Sequence, residues 1–343
     1  MTTSAPAAPV TGSDGHPAPQ GPEPILQLAA GFMAAKHLFA ASELGLFEAL
    51  AGSPATIDAL AARTGLTRRA ARISADAMVA LGLLERDGGT YRNSDTAATF
   101  LAGATPADLR PLLRFWDKIS YPSWAGFAGA LATGPSQEIT KLDDALQQVA
   151  SRGIEAMLTG PAAALAATVD FPARQRLLDV GGGTGSWSIA IARAHPHMKA
   201  TVFELPAVAA VAHVRITEAG LGSRVDVVDG DALGGALPSG YDTCLLANII
   251  HYYSPAENLT LLRHARAATT PRGCLLLVDF WTDPTHSQPL MAALMAGEFA
   301  AHLRNGDVYS VSEAREWLEP TGWRFAGHQP LAGPISLITA EAI

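Results

Sequence analysis

The sequence predicts a two-part α/β protein, with a mainly helical N-terminal part followed by a doubly wound, mostly parallel sheet covered by helices on both faces. Three observations carry this prediction. From Arg174 onward, apolar runs of strand length alternate with helical patterns, as parallel strands buried on both faces require. The first run leads into "LLDVGGGTGS" (177–186), an acid and a glycine-rich loop where a first strand turns into its helix. Upstream, "TIDALAARTGLTRRAARISADAMVALGLLERDGGTYRNS" (56–94) reads as helix, turn at Thr64-Gly65, second helix and two short strands around "DGGT". That is a winged helix-turn-helix outline.

A chain of 343 residues, 48% hydrophobic and 16% charged, has room for two domains and a sizeable core. The net charge of −8 argues against nucleic acid as a partner, because phosphate backbones recruit clustered Lys and Arg. The one local basic cluster is "TRRAAR" (67–72). Cys244 and Cys274 both lie in apolar runs and read as buried, reduced thiols, with no metal site expected. We find no apolar stretch of the roughly 18 residues a membrane span needs, and no basic segment leading into an apolar core. A cytoplasmic enzyme without a membrane partner is the expectation.

The elements follow in order. Residues 1–22, rich in Pro, Ala, Gly, Ser and Thr, bury too little apolar surface to offset ordering and are expected to be a disordered tail. Residues 23–105 form the helical module. Leu28, Phe32, Ala35 and Phe39 recur at helical spacing, and Leu46 and Leu50 follow the break at Gly45. A helix apolar on most sides needs burial on most sides, and a partner subunit is one way to supply it. The winged-helix outline is open to two readings, DNA binding through Arg68, Arg69 and Arg72 or a structural dimerisation module, and the acidic total favours the second. Residues 106–170 read as a mostly helical linker. Its stretch "LLRFWDKISYPSWAGFAGAL" (112–131) gathers aromatic residues, among them Trp116, Tyr121 and Trp124, that serve either as core or as the roof of a pocket for a flat apolar substrate. Residues 171–343 carry the sheet, with strands expected at "RLLDV", "KATVFEL", "RVDVVDG", "YDTCLLANII" and "CLLLVDF". A final hairpin through "AGP" (332–334) would add an antiparallel edge.

The glycine loop selects the ligand by charge. Gly181 and Gly183 let a ligand approach the backbone closely. A dinucleotide fingerprint spaces glycines as GxGxxG and aims a helix N-terminus at pyrophosphate. Here the spacing is GxGxG, Ser186 takes the third place, and Asp179 just ahead would repel a diphosphate. The same acid attracts a sulfonium and an ammonium, the charges of S-adenosyl-L-methionine. Glu204, closing the second strand, suits a ribose diol. Asp231, after the third strand, suits the adenine amino group.

With these residues in place, "LLDVGGGTGSWSIAIARAHPHMKATVFELP" resembles the DVGGGTG…P…FDLP signature of class I S-adenosylmethionine-dependent methyltransferases. The resemblance is to the small-molecule O-methyltransferases with an N-terminal winged-helix dimerisation domain, which include plant caffeate-type and bacterial antibiotic-tailoring enzymes. It spans roughly residues 24–343. It implies a Rossmann-like sheet of seven strands, the last antiparallel, and a homodimer entered by the helix around residues 25–40. "NIIHYYSPAENLTLLRHARAATTPRG" (248–273) resembles the family's catalytic stretch. His251 matches its general base, and Asp279, in "LLLVDF", matches the carboxylate that orients it. Asn248, which opens the stretch, joins the cofactor-binding set. Tyr252 and Tyr253 stand where the family has Asp-Trp, and the family's second carboxylate has no clear match in "NGDVYSVSEAREWL" (305–318), where Asp307 is nearby.

The reading that results is methyl transfer to a hydroxyl of an aromatic or polyketide-like small molecule in secondary metabolism, leaving S-adenosyl-L-homocysteine. His251 takes the acceptor's proton, and Met291, Met295, Phe299 and His302, on one face of "PLMAALMAGEFAAHL" (289–303), serve as core or substrate contacts. C- or N-methylation on the same fold, or a non-methylating reaction, is the alternative. A DNA-binding regulator and an NAD-dependent oxidoreductase are disfavoured.

Overall fold

In the computed structural model, which describes residues 21–343, the chain divides after Ala104 into two units. Most of the expected tail, residues 1–20, lies outside the described residues.

The first unit follows its capping residues. Helix α1 (Glu23–Glu43) stops just before Gly45, whose φ is +71°. Strand β1 (Ala55–Thr56) leads into α2 (Ile57–Thr64), where the Thr56 hydroxyl accepts from the Ala59 amide, and Gly65 ends that helix in the left-handed region. Thr67 starts α3 (Arg68–Ala80) in the same way. Strands β2 (Leu84–Asp87) and β3 (Thr90–Asn93) form the hairpin, β1 pairs with β3, and α4 (Asp95–Phe100) closes the unit. Two-residue β1 is too short for alternation to show in the sequence. Leu46, Phe47, Leu60 and Met78 are fully buried at its centre. Arg68 pairs with Asp58, and Arg72 with Asp76. Leu28 and Phe32 of the expected stripe are exposed, as are Ile25, Leu26 and Met33, while Phe39 is buried. Contrary to the sequence expectation, α1, at 21 residues, has the length and apolar character of a membrane span.

The second unit begins with α5 (Arg110–Phe115), a π turn (Trp116–Ser120), α6 (Tyr121–Ala125), α7 (Phe127–Thr133) and α8 (Asp144–Thr168). Strands and helices then alternate: β4 (Arg176–Val180), α9 (Ser186–Ala194), β5 (Lys199–Glu204), α10 (Pro206–Glu218), β6 (Val225–Asp229), β7 (Tyr241–Ala247), α11 (Pro255–Ala268) and β8 (Thr269–Asp279). Helices α12 (Leu290–His302) and α13 (Val311–Leu318) precede β9 (Trp323–Ala332) and β10 (Ile335–Ala342). Ser254 and Glu257 form a capping box on α11, and Ser310 and Glu313 form one on α13.

The seven strands lie in the order β6-β5-β4-β7-β8-β10-β9. Pairs from β6 to β8 are parallel, and β10 is antiparallel to both its neighbours. The hairpin therefore does not supply an antiparallel edge: β10 is interior, and β9, parallel to the main set, is the edge. The reason is composition. Leu337 and Ile338 of β10 are fully buried against β8, whereas β9 alternates with polar, exposed residues that suit an edge. Along the central strands successive residues face opposite cores. Leu177, Leu245 and Leu276 join Phe171, Trp187 and Ile191 on one side, and Leu178, Leu246 and Leu277 join Leu261, Leu262 and Trp323 on the other. Strand order reverses between β4 and β7, so the crevice for a ligand opens at their carboxyl ends.

Candidate active site

The loop after β4 is shaped by its glycines. Gly181 has φ +65°, and a Cβ there would lie 2.2 Å from Ile249 Cδ1. Gly183 has φ +56° and open space around the missing side chain. Its amide donates to Glu204 Oε2 at 2.9 Å, and Glu204 Oε1 accepts from the Leu205 amide at 2.8 Å. Asp179 lies beneath the loop, fully buried, so close that a Cβ on Gly182 would lie 2.7 Å from its carboxyl carbon. Its Oδ2 accepts from Ser188 Oγ at 2.7 Å and its Oδ1 has no partner. Burial above all, with the Glu204 charge adding, pushes this carboxyl up to about 7 against the Ser188 hydrogen bond.

Asn248 follows β7 with φ +53°, and both polar atoms of its buried amide lack partners. A left-handed, unpaired buried amide is costly and has a place where a ligand supplies both partners. Asp231 is exposed, with Oδ1 accepting from the Leu233 amide at 2.9 Å. It borders a cleft of about 520 Å³ that Phe203, Asp229, Gly230 and Leu237 also line. Asp229, which the sequence reading passed over, closes β6 beside it. An open glycine backbone, carboxylates at successive strand ends, the unpaired Asp179 oxygen and the unpaired Asn248 amide together fit a cationic nucleoside with hydroxyls and an ammonium.

On the other side of the crevice, His251 sits on the short turn after β7 and is buried. Its Nδ1 lies 2.7 Å from Asp279 Oδ1. A carboxylate can only accept, so Nδ1 carries the hydrogen of this contact and Nε2 is the nitrogen available to take another proton. Asp279, at the end of β8, also accepts from the Phe280 amide at 2.8 Å. Phe299 of α12 stacks on the imidazole at 3.8 Å between centroids and 4° between planes. Tyr252 lies 4.8 Å away, and burial foremost pushes its phenol up to about 12. Asp307 meets His251 through the backbone, its amide donating to the His251 carbonyl at 3.0 Å.

The expected pocket residues divide. Trp116 packs with Leu112, Phe115 and Ile119, and Tyr121 is half-buried on α6. Met291 is 48% exposed at the start of α12, while Met295 packs on the main core. His302 is buried with Nε2 3.3 Å from Glu298 Oε1, close but without hydrogen-bond alignment. Trp124 Nε1 and Ser120 Oγ both donate to Glu298 Oε2. The sequence reading missed Glu298 and Ser120; the available signal was an acid inside an otherwise apolar helix. Among the described residues, no group of three or more His, Cys, Asp or Glu is placed to hold a metal ion.

Comparison with known proteins decides the family. An O-methyltransferase domain model matches residues 125–324, and an O-methyltransferase dimerisation domain model matches 26–103. The chain belongs to the O-methyltransferase family. This methyltransferase is 34% identical over 319 residues to the 3-hydroxy-5-methyl-1-naphthoate 3-O-methyltransferase of Streptomyces sahachiroi, covering 91% of this chain and 92% of that one. It is 32% identical over 318 residues to an N,N-dimethyltransferase of Streptomyces rimosus, covering 88% and 90%. Among solved structures, the apo S-adenosylmethionine-dependent methyltransferase SibL superposes with a TM-score of 0.79 at 32% identity, covering 94% of this chain and 99% of SibL. The enzyme is an S-adenosylmethionine-dependent methyltransferase, its product from the cofactor is S-adenosyl-L-homocysteine, and its first unit carries the family's dimerisation domain.

Proposed function

We propose that the enzyme methylates a phenolic hydroxyl of an aromatic, polyketide-like small molecule, with His251 as general base and Asp279 as its orienting partner. The observation that carries this is the 2.7 Å His251–Asp279 contact at the strand ends, with Nε2 left free of protein partners among the described residues. A phenol with a pKa of about 10 is a weak nucleophile at neutral pH. A base that removes its proton contributes roughly 10²–10⁴-fold. The cofactor supplies an electrophilic methyl group on a sulfonium. The chain's own residues do the rest. Asp279 holds the imidazole tautomer, and Phe299 fixes the plane of the ring. Asp179, Gly181, Gly183, Glu204, Asp231 and Asn248 hold the cofactor. The helical stretch 106–170 and α12 enclose the acceptor, Trp124 among the nearest residues. The hydroxynaphthoate acceptor named for the Streptomyces sahachiroi relative supports the aromatic class.

Incubation with S-adenosylmethionine and a panel of phenols (a hydroxynaphthoate, a hydroxyanthraquinone, N-acetylserotonin and tyrosine) tests the reading. Mass spectrometry with fragmentation places the methyl. Methylation at oxygen that is lost in His251→Ala, with S-adenosylhomocysteine affinity retained, is the expected result. A methyl on nitrogen or carbon establishes the second reading, which the N,N-dimethyltransferase relative favours.

The exposed apolar residues of α1 are covered, in this proposal, by a second copy of the chain in a cytoplasmic homodimer that binds neither membrane nor nucleic acid. Arg68 and Arg72, engaged with acids of their own unit, support the last point.

A further inference from the structure

We propose that Glu298 is a positioning residue for methyl transfer: its buried carboxylate latches the segment 116–125 to α12, holding the wall of the acceptor cavity and the Phe299 ring seated on His251. The proposal rests on the reading that the acceptor binds between that segment and α12.

Three consecutive residues of α12 divide the work. Gly297 makes room. A Cβ there would lie 2.7 Å from Trp124 Cη2 and 3.1 Å from Phe127 Cζ, so the indole packs against the helix backbone only because the side chain is absent. Glu298 supplies the bond, its Oε2 accepting from Ser120 Oγ at 2.7 Å and from Trp124 Nε1 at 2.5 Å. Phe299 passes the position of the helix on to the imidazole. The chemistry is matched, since an indole N–H only donates and a carboxylate only accepts. Burial works against the charge, but His302, Ser120 and Trp124 outweigh it and hold the carboxyl below its ordinary value. Ser120 ends the π turn and Trp124 lies one helical turn on, so both donors share a face and reach one oxygen. An apolar side chain would join two helices with no charge to bury. A buried carboxylate with two directed donors fixes orientation as well.

Glu298→Met, which removes the acceptor at near-constant size, Trp124→Phe and the double variant test the latch, with the phenol that the wild type methylates fastest in the panel above as acceptor. We expect each single variant to raise the acceptor KM about tenfold or more, the scale of one lost hydrogen bond to a charged group. The double variant should be no worse than the worse single one, because the Trp124–Glu298 bond is already lost in either. S-adenosylhomocysteine affinity should stay within about twofold of wild type, which a general loss of structure would not allow. An unchanged KM, additive effects, or cofactor affinity falling alongside turnover would overturn the proposal. Should the wild type methylate no phenol, the acceptor reading fails and amide hydrogen exchange decides the latch. Faster exchange over residues 116–125 in both variants, with 181–186 unchanged, supports it, and no rise over 116–125 refutes it.

Discussion

In the proposed site, the glycine loop at the cofactor end comes from one strand–loop–helix stretch, Asp179 to Ser188, whereas at the acceptor end Ser120 meets Glu298 across 178 residues of sequence. The first is made mostly of backbone: amides, left-handed glycines and the carboxyl ends of parallel strands. The second is made of side chains on helices, with Trp124 and His302 against Glu298 and with Phe299 stacked on His251. A backbone cradle tolerates wide variation in sequence as long as a few glycines stay. A side-chain wall changes with each substitution. On that proposal, the contrast accounts for one fold serving relatives named for naphthoate 3-O-methyl transfer and for N,N-dimethyl transfer.

The sharpest way to break this division is His251→Ala. It should lower kcat roughly 10²–10⁴-fold and leave S-adenosylhomocysteine affinity unchanged by calorimetry, and a fall in affinity would show that the two ends are not separable. Gly183→Val attacks the opposite end. A β-branched residue at φ +56° costs about 1–3 kcal/mol of strain and blocks the close approach. Cofactor affinity should drop about ten- to a hundredfold, with the acceptor KM little changed at saturating cofactor.

A pH titration sharpens the comparison further. Asp179 is held at about 7 in the folded protein. Below that value it is neutral, and a ligand whose ammonium group prefers the carboxylate must expel its proton. Affinity for S-adenosylhomocysteine should therefore rise with pH towards about 7 and then level off, with a slope of at most about tenfold per unit. Asp179→Asn should flatten the curve. Because the unfolded chain releases the same proton near pH 4, stability of the free protein should fall as pH rises from about 4 to about 7, which denaturant titration across that range measures. The smallest effect belongs to neither end. Ser254→Ala removes the cap of α11, should cost about 1 kcal/mol, and should lower Tm by a few degrees with both affinities unchanged.

Local patterns specified much of the molecule. Strand-length apolar runs, Thr and Ser caps and the "DGGT" turn set out the elements, because each depends on neighbours a few residues apart. The places of the glycine loop and of Asp179, Glu204 and Asp231 at or after strand ends were legible for the same reason, since each follows its own apolar run. His251 and Asp279 were each found by likeness of motif, but their 2.7 Å contact exists only because β7 and β8 run side by side. Strand β10 took the interior place and β9 the edge because burial is a property of the finished sheet, not of the hairpin. Glu298 was hidden most completely. In sequence it is one acid in an apolar helix, and its donors lie far upstream, so what it holds emerges only when folding brings those segments within 3 Å.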